Sequence, residues 1–444
     1  TNIEEGNALQ MDWHKVAPQV DYIMGNPPFI GASMMTKEQK SDAVAIFGKI
    51  KLSNSIDYVG AWYHKAAKII QNTNTKVAFV STNSITQGEQ VAPLWKKLLS
   101  EYKIIINFAY KTFKWYSEAV EKAQVHCVII GFSTQNGNKY IIDCNEMTSV
   151  ENINPYLIDA PTIFIEKRSR PLCEVENMIY GSEPREGGYL LLNEDERQVL
   201  LNETPAMGEY VKRFVSSNDF INNQVRYCLW LKNADMRIVR KSKIVMKRLE
   251  DCAKFREGSK QKQAHAAKDT PYLFASERQP ETKYLLIPIV SSENRRYIPI
   301  GYMEPDVIVS NACFTISNAS LYTFGVLTSN IHMAWTRAVC GRLEMRYRYS
   351  NTIVYNNFVW AKATEEQKRA IEKTAQGILD ARQKYPEYSM ADLYDERTMP
   401  AELRKAHQAN DRAVMTAYGF NIKTMAEASC VAELMKMYQT LIKV

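Results

Sequence analysis

Four consecutive residues, Asn26-Pro27-Pro28-Phe29, place a planar amide, two rigid rings and an aromatic face directly after a short apolar run. An exocyclic amine on a heterocycle is a poor nucleophile, because its lone pair is delocalised into the ring. Two oxygens that accept its two protons in tetrahedral directions pull the nitrogen toward sp³ and aim the lone pair outward. The Asn26 side-chain oxygen and the Pro27 carbonyl suit those roles. Each proline fixes φ, so the carbonyl is preorganised and no nearby N–H competes for it. Phe29 offers a ring on which a planar base can stack. A base in a duplex reaches such a pocket only by being flipped out. No His or Glu flanks the motif, which fits transfer from a sulfonium that needs no strong general base.

Such a loop works only if an element holds it. Residues 20–25 read as a strand running into it, at the carboxyl end where open α/β sheets place their ligands. Residues 56–72 fit an amphipathic helix, Lys76 to Thr82 a buried strand and 90–101 a helix. Ile104 to Phe108 and Val125 to Phe132 read as further strands. This alternation predicts an α/β domain with a largely parallel sheet within residues 1–150. From 151 to 360 helical periodicity weakens and short β-like runs appear, such as Tyr284 to Val290 and Val307 to Ile316; an α+β domain is expected. From 361 to 444 the chain turns helical, with helices over Glu365–Lys384, Glu402–Tyr418 and Met425–Val444, the first two pairing as a hairpin. A chain of 444 residues is too long for one core and divides into two or three domains.

The net charge of +7 is concentrated. Residues 235–296 hold 15 Lys and Arg against 8 Asp and Glu, and the rest of the chain is neutral. A local basic excess points to a polyanion, or to no more than a solvated face. Lys241, Lys243, Lys247, Arg248, Lys254 and Arg256 are the expected phosphate contacts. Arg342, Glu344, Arg346 and Arg348 form a second cluster. Arg can grip guanine in the major groove and Glu can accept from cytosine, so these are the candidates for base readout; a surface strand with ion pairs is the plainer reading.

Eight cysteines form no CxxC and do not pair with the six histidines at metal spacing. Reduced thiols of a cytoplasmic protein are expected, with no structural metal. No apolar run approaches the eighteen residues of a membrane helix.

The strand–Asn-Pro-Pro-Phe arrangement resembles the catalytic segment of gamma-class DNA adenine-N6 methyltransferases, and the whole chain resembles the C-terminal part of the MmeI-like restriction-modification enzymes. Residues Asp57 to Tyr63, Phe79 to Ile85 with Gly88-Glu89-Gln90, and Phe113 to Trp115 with Val125 to Gly131 carry the likeness; so do Arg346 to Thr352, Tyr355 to Phe358 and Leu403 to His407. The resemblance implies a truncated class I S-adenosylmethionine (AdoMet)-dependent methyltransferase sheet, then an α+β target-recognition domain and a C-terminal helical segment. It implies double-stranded DNA as partner and AdoMet as cofactor, held by Asn7, Ala8, Asn26 and Tyr58. Phe113 would sandwich the flipped base, with Trp115 second. Asn7 stands where the family has an acidic residue. The Gly-rich loop of this class does not precede Asn26, so the methyltransferase half and the nuclease expected upstream are absent from this chain, which alone would be inactive. A methyltransferase of RNA or of protein glutamine, and a non-enzymatic DNA-binding module, remain as alternatives.

Overall fold

The strand expected before Asn26 is present: β1 (Tyr22–Gly25) pairs in parallel with β2 (Lys76–Thr82), Tyr22 opposite Lys76 and Gly25 opposite Phe79. The computed structural model describes residues 2–48, 56–115 and 125–443. Four more strands complete the sheet: β3 (Ile105–Trp115), β4 (Val125–Ser133), β5 (Lys139–Asp143) and β6 (Glu146–Val150), in the order β1-β2-β4-β3-β5-β6.

The expectation of a largely parallel sheet is corrected. β1–β2 and β3–β5 are parallel, but β2–β4, β4–β3 and β5–β6 are antiparallel. A parallel return needs a crossover of about a dozen residues or more, and β4 and β6 follow their predecessors too closely. Between β5 and β6 the turn residues Cys144 and Asn145 both have positive φ, 47° and 69°, the twist a two-residue hairpin favours. β3 runs seven residues beyond its predicted end, because Ala109 to Trp115 still pair with β4; its two bulges fall between Ile106 and Phe108 and between Tyr110 and Phe113.

Among the described residues, three helices of ten or more residues lie between β1 and β3. α1 (Lys37–Phe47) starts at a Thr36–Gln39 capping box. α2 (Gly60–Ile69) and α3 (Val91–Ser100) fall within the predicted helical segments. The core is aromatic. Tyr63 of α2 is fully buried, stacked on Phe132 at 5.6 Å and edge-on to Phe79 and Trp95, and its hydroxyl is 2.8 Å from that of Ser81.

Two compact units interleave along the sequence. The first comprises Thr1–Leu172, Ala334–Val359 and Thr424–Val444; the second comprises Cys173–Met333 and Trp360–Lys423. The second unit holds two four-stranded sheets. One is built on Val211–Val215 and Arg226–Leu229, the other on Tyr284–Pro288 and Cys313–Ser317. It also contains α4 (Lys243–Glu257), α5 (Glu365–Gln383) and α6 (Ala401–Ala417). α5 and α6 pack antiparallel, since Gln367 reaches the Thr416 carbonyl and Thr374 the Asn410 side chain. The last helix, α7 (Glu427–Ile442), belongs to the first unit; Val444, the last residue of the predicted helix, lies outside the described residues.

His64 of α2 is buried edge-on against Phe47 at 4.7 Å, and desolvation pushes its pKa down from 6.5 to about 4. The unfolded chain therefore binds a proton that the folded chain refuses. The stability this histidine leaves intact above pH 6.5 is lost as pH falls toward 4. Unfolding titrations between pH 7 and 4 should show a shallower acid-side decline for His64→Leu than for the parent chain.

Candidate active site and nucleic-acid interface

Asn26 emerges at the carboxyl end of β1. β3 is antiparallel to β4, which is antiparallel to β2, so β3 runs in the direction of β1. The carboxyl end of β3, with Phe113, therefore lies at the same edge of the sheet as Asn26. The second bulge of β3 falls between Tyr110 and Phe113, where three steps of β3 span two of β4. A bulge re-aims the side chains that follow it, and here that side chain is Phe113. Its ring is half-buried, 5.2 Å from that of Tyr110 and 6.2 Å from that of Trp115.

Asn26 is exposed, Pro27 buried and Phe29 half-buried. Beside them opens a cavity of about 600 Å³. Asn7, Ala8, Asn26 and Tyr58, the four residues expected at a cofactor, all line it, as do Pro27, Pro28, Trp13, Trp62 and Phe79. Phe29 and Phe113 are not among its walls. Aromatic walls with two amides suit a ligand with a flat heterocycle and few polar anchors.

Three residues hold this site together, two of which, Lys65 and Asp42, sequence reasoning missed. Lys65 of α2 donates to the carbonyls of Ala8, Leu9 and Met11, with its ammonium 5.0 Å from the centre of the Trp13 ring, and so clamps the segment carrying Asn7. Burial lowers its pKa. Asp42 of α1 accepts from Asn7, Gln10 and Tyr58 at 2.8, 2.8 and 3.0 Å. The Gln10 bond leads in holding its pKa below the usual carboxylate value. Asp42 thus brings a carboxylate next to Asn7, which carries none itself. Desolvation, helped by Asp42, raises the Tyr58 phenol to about 12. The third residue, Asp57, accepts the Ala32 N–H at 3.0 Å, while the Tyr58 N–H donates to the Ile30 carbonyl at 2.9 Å. No spacing rule points to Asp42 or Lys65, because each meets its partners only across the fold.

The basic segment divides in two. On α4 the buried residues Val245, Leu249, Cys252 and Arg256 fall on one face. Arg256, expected on phosphate, is a correction. It is fully buried and donates to the carbonyls of Arg185, Ala267, Thr270, Pro184 and Leu273, because its phase on the helix points it inward. Arg248 donates to the Tyr189 and Leu191 carbonyls and to Glu196. Lys247 pairs with Asp251 at 2.9 Å and Lys254 with Glu250 at 2.5 Å, an i,i+4 ladder on the solvent face. Lys241 and Lys243 stand exposed at the start of the helix.

The second cluster forms a hairpin in the first unit, Gly341–Leu343 against Arg346–Arg348. Its turn places Glu344 at φ 59°, a backbone conformation that non-glycine residues adopt at a cost. Arg346 and Arg348 are exposed and alternate with buried Tyr347 and Tyr349. Arg346 pairs with Glu344 at 3.0 Å. Arg342 instead lies over the Tyr347 ring at 4.1 Å and donates to the Met345 and Arg337 carbonyls. Among the described residues, no group of three or more His, Cys, Asp or Glu could hold a metal ion.

A mixed sheet that presents the Asn26–Phe29 loop at its carboxyl edge, beside an aromatic-walled cavity, has the fold of a DNA-methyltransferase domain. The chain belongs to the MmeI family: the MmeI DNA-methyltransferase domain matches residues 1–143, the MmeI target recognition domain 159–362 and the MmeI C-terminal domain 363–444. A Bacillus subtilis (strain 168) protein named DNA methyltransferase A is 38% identical over 99% of this chain, which spans 50% of that protein. The structure of the type IIL restriction-modification enzyme MmeI in complex with DNA superposes with a TM-score of 0.93 at 44% identity. It covers 100% of this chain, which spans 60% of that structure.

Arg256→Ala should cost more than about 3 kcal/mol in denaturant unfolding, since it strands several buried carbonyls. Lys247→Ala, which breaks only a surface pair, should stay within about 0.5 kcal/mol.

Proposed function

We propose that this chain is the C-terminal part of a site-specific DNA adenine-N6 methyltransferase of a bacterial restriction-modification system, acting in the cytoplasm. The observation that carries the proposal is the exposed Asn26, on a proline-stiffened loop at the sheet edge, opening onto the cavity it shares with Asn7, Ala8 and Tyr58. The Asn26 oxygen and the Pro27 carbonyl accept the two protons of the adenine amine and turn its lone pair outward. Phe29, with Phe113 from the same sheet edge, flanks the flipped base. Pro28 keeps the loop from relaxing. AdoMet, when bound, supplies the activated methyl group. The rings of Trp13, Tyr58 and Trp62 and the amides of Asn7 and Asn26 would hold part of it.

β1 supports a larger catalytic domain. Among the described residues it has β2 as its one strand neighbour, and Tyr22 and Met24 are 64% and 79% exposed. An unpaired apolar edge is a pairing template, and the upstream half of the methyltransferase sheet would cover it. The isolated chain is then a DNA-binding piece that does not methylate, and a nuclease domain accompanies the upstream half in the full-length enzyme.

For DNA, Lys241 and Lys243 remain as phosphate contacts, and Glu344, Arg346 and Arg348 on the hairpin read base edges. The basic segment also separates this reading from a protein-glutamine methyltransferase, which needs no polyanion platform.

In the full-length enzyme Asn26→Ala should abolish adenine methylation while leaving duplex affinity within about threefold; methyl transfer at the parent rate would remove the catalytic assignment. Arg346→Ala should relax preference at one base pair of the recognised site by about 1–3 kcal/mol, read from relative kcat/KM on single-substitution duplexes. An equal loss on every duplex would mean a phosphate contact instead.

A further inference from the structure

The backbone that follows Asn26–Phe29 is tied to Asp57, and Asp57 is tied to the segment that approaches the hairpin. Asp57 is 92% buried (8% exposed), and its carboxylate is shared by two segments. One oxygen accepts the Ala32 N–H at 3.0 Å, three residues beyond Phe29; the other accepts the Ser84 hydroxyl at 2.5 Å, just past the end of β2. Its own N–H donates to the Gln90 side-chain oxygen at 2.9 Å. Between Ser84 and Gln90 the chain passes through Gly88, at φ 60°. A methyl group on Gly88 would come within 2.9 Å of the Gly341 Cα, where the hairpin begins. Glycine is therefore required at position 88 on two counts, its backbone conformation and this close approach.

We propose that Asp57 is a positioning residue that sets the Asn26–Phe29 loop in register with the 341–348 hairpin, through Gln90 and the Gly88–Gly341 contact. This rests on the functional reading above. The carboxylate suits the task, because two oxygens on a short stem let one side chain hold a backbone N–H of one segment and a side-chain hydroxyl of another. Asp57 touches no reacting atom. It fixes where the oxygens of Asn26 and Pro27 stand when the hairpin is seated, and displacement of such a group by about 1 Å costs on the order of a hundredfold in rate.

The test uses the full-length enzyme, with Asn26→Ala in parallel. Asp57→Ala should lower single-turnover methylation roughly 10- to 100-fold, while the Kd for the cognate duplex stays within about twofold. Asp57→Asn should recover most of the rate, since an amide can still accept from Ala32 and can donate to Ser84; Asp57→Glu, one methylene too long, should not. Gln90→Ala and Gly88→Ala should each lower the rate, and combined with Asp57→Ala should lose less than the product of the single effects. If Asp57→Ala does not fold, Asp57→Asn against Asp57→Glu and the Gln90→Ala rate decide the matter. A parent-like rate in Asp57→Ala, a weaker duplex Kd at unchanged rate, or fully multiplicative doubles would overturn the proposal. With Asn26→Ala inert, those results sink this inference alone; methylation by Asn26→Ala sinks the functional reading beneath it.

Discussion

Two successive prolines cannot donate a backbone hydrogen bond, and the rest of the first unit is arranged around that fact. A loop without N–H groups at Pro27 and Pro28 cannot be organised by its own turn chemistry alone. It has to hang from its neighbours: the strand before it, paired with β2, and the backbone after it, held by Asp57 and by the Tyr58 N–H. The same α2 region then anchors the Asn7–Ala8 part of the cavity wall through Lys65. Stiffness in the loop and rigidity in its supports are therefore one requirement. The aromatic core around Tyr63 meets it by locking α2 and α3 onto the central strands.

Electrostatics at the site are local and directed. Asp42 gathers Asn7, Gln10 and Tyr58 into one network, so one carboxylate joins the segment before β1 to the start of α2. The phenol of Tyr58 stays protonated across the physiological range, because burial and the adjacent carboxylate both oppose its ionisation. The basic segment behaves differently. Much of its charge is spent within the protein, on carbonyls by Arg256 and on carboxylates by Lys247, Arg248 and Lys254, so counting cations overstates what remains for a polyanion.

What was legible in the sequence was local. The strand into Asn26, the strand at Lys76–Thr82 and the three late helices are periodic segments whose patterns survive folding. Asn7, Ala8, Asn26 and Tyr58 could be named together only through resemblance, because 51 positions of sequence separate the outermost pair. The mixed sheet was not legible, since strand direction depends on the lengths of connections. The phase of Arg256 with Val245, Leu249 and Cys252 was readable, but the carbonyls that receive it were not, because they come from segments outside the helix. Asp57 was visible only as part of a motif; what it holds is set by backbone groups that carry no residue identity.

The first unit is discontinuous, closing only when its third segment, from Thr424 onward, joins the first two. On a ribosome this has a consequence. The fold that carries the Asn26 loop stays incomplete until the segment from Thr424 onward has been made, whereas the second unit precedes that segment in the chain. Products that stop before Thr424 would therefore lack the α7 that Asn154 and Asn357 bond to, through Met435 and Tyr438. The order of segments along the chain makes the first unit the later of the two to close.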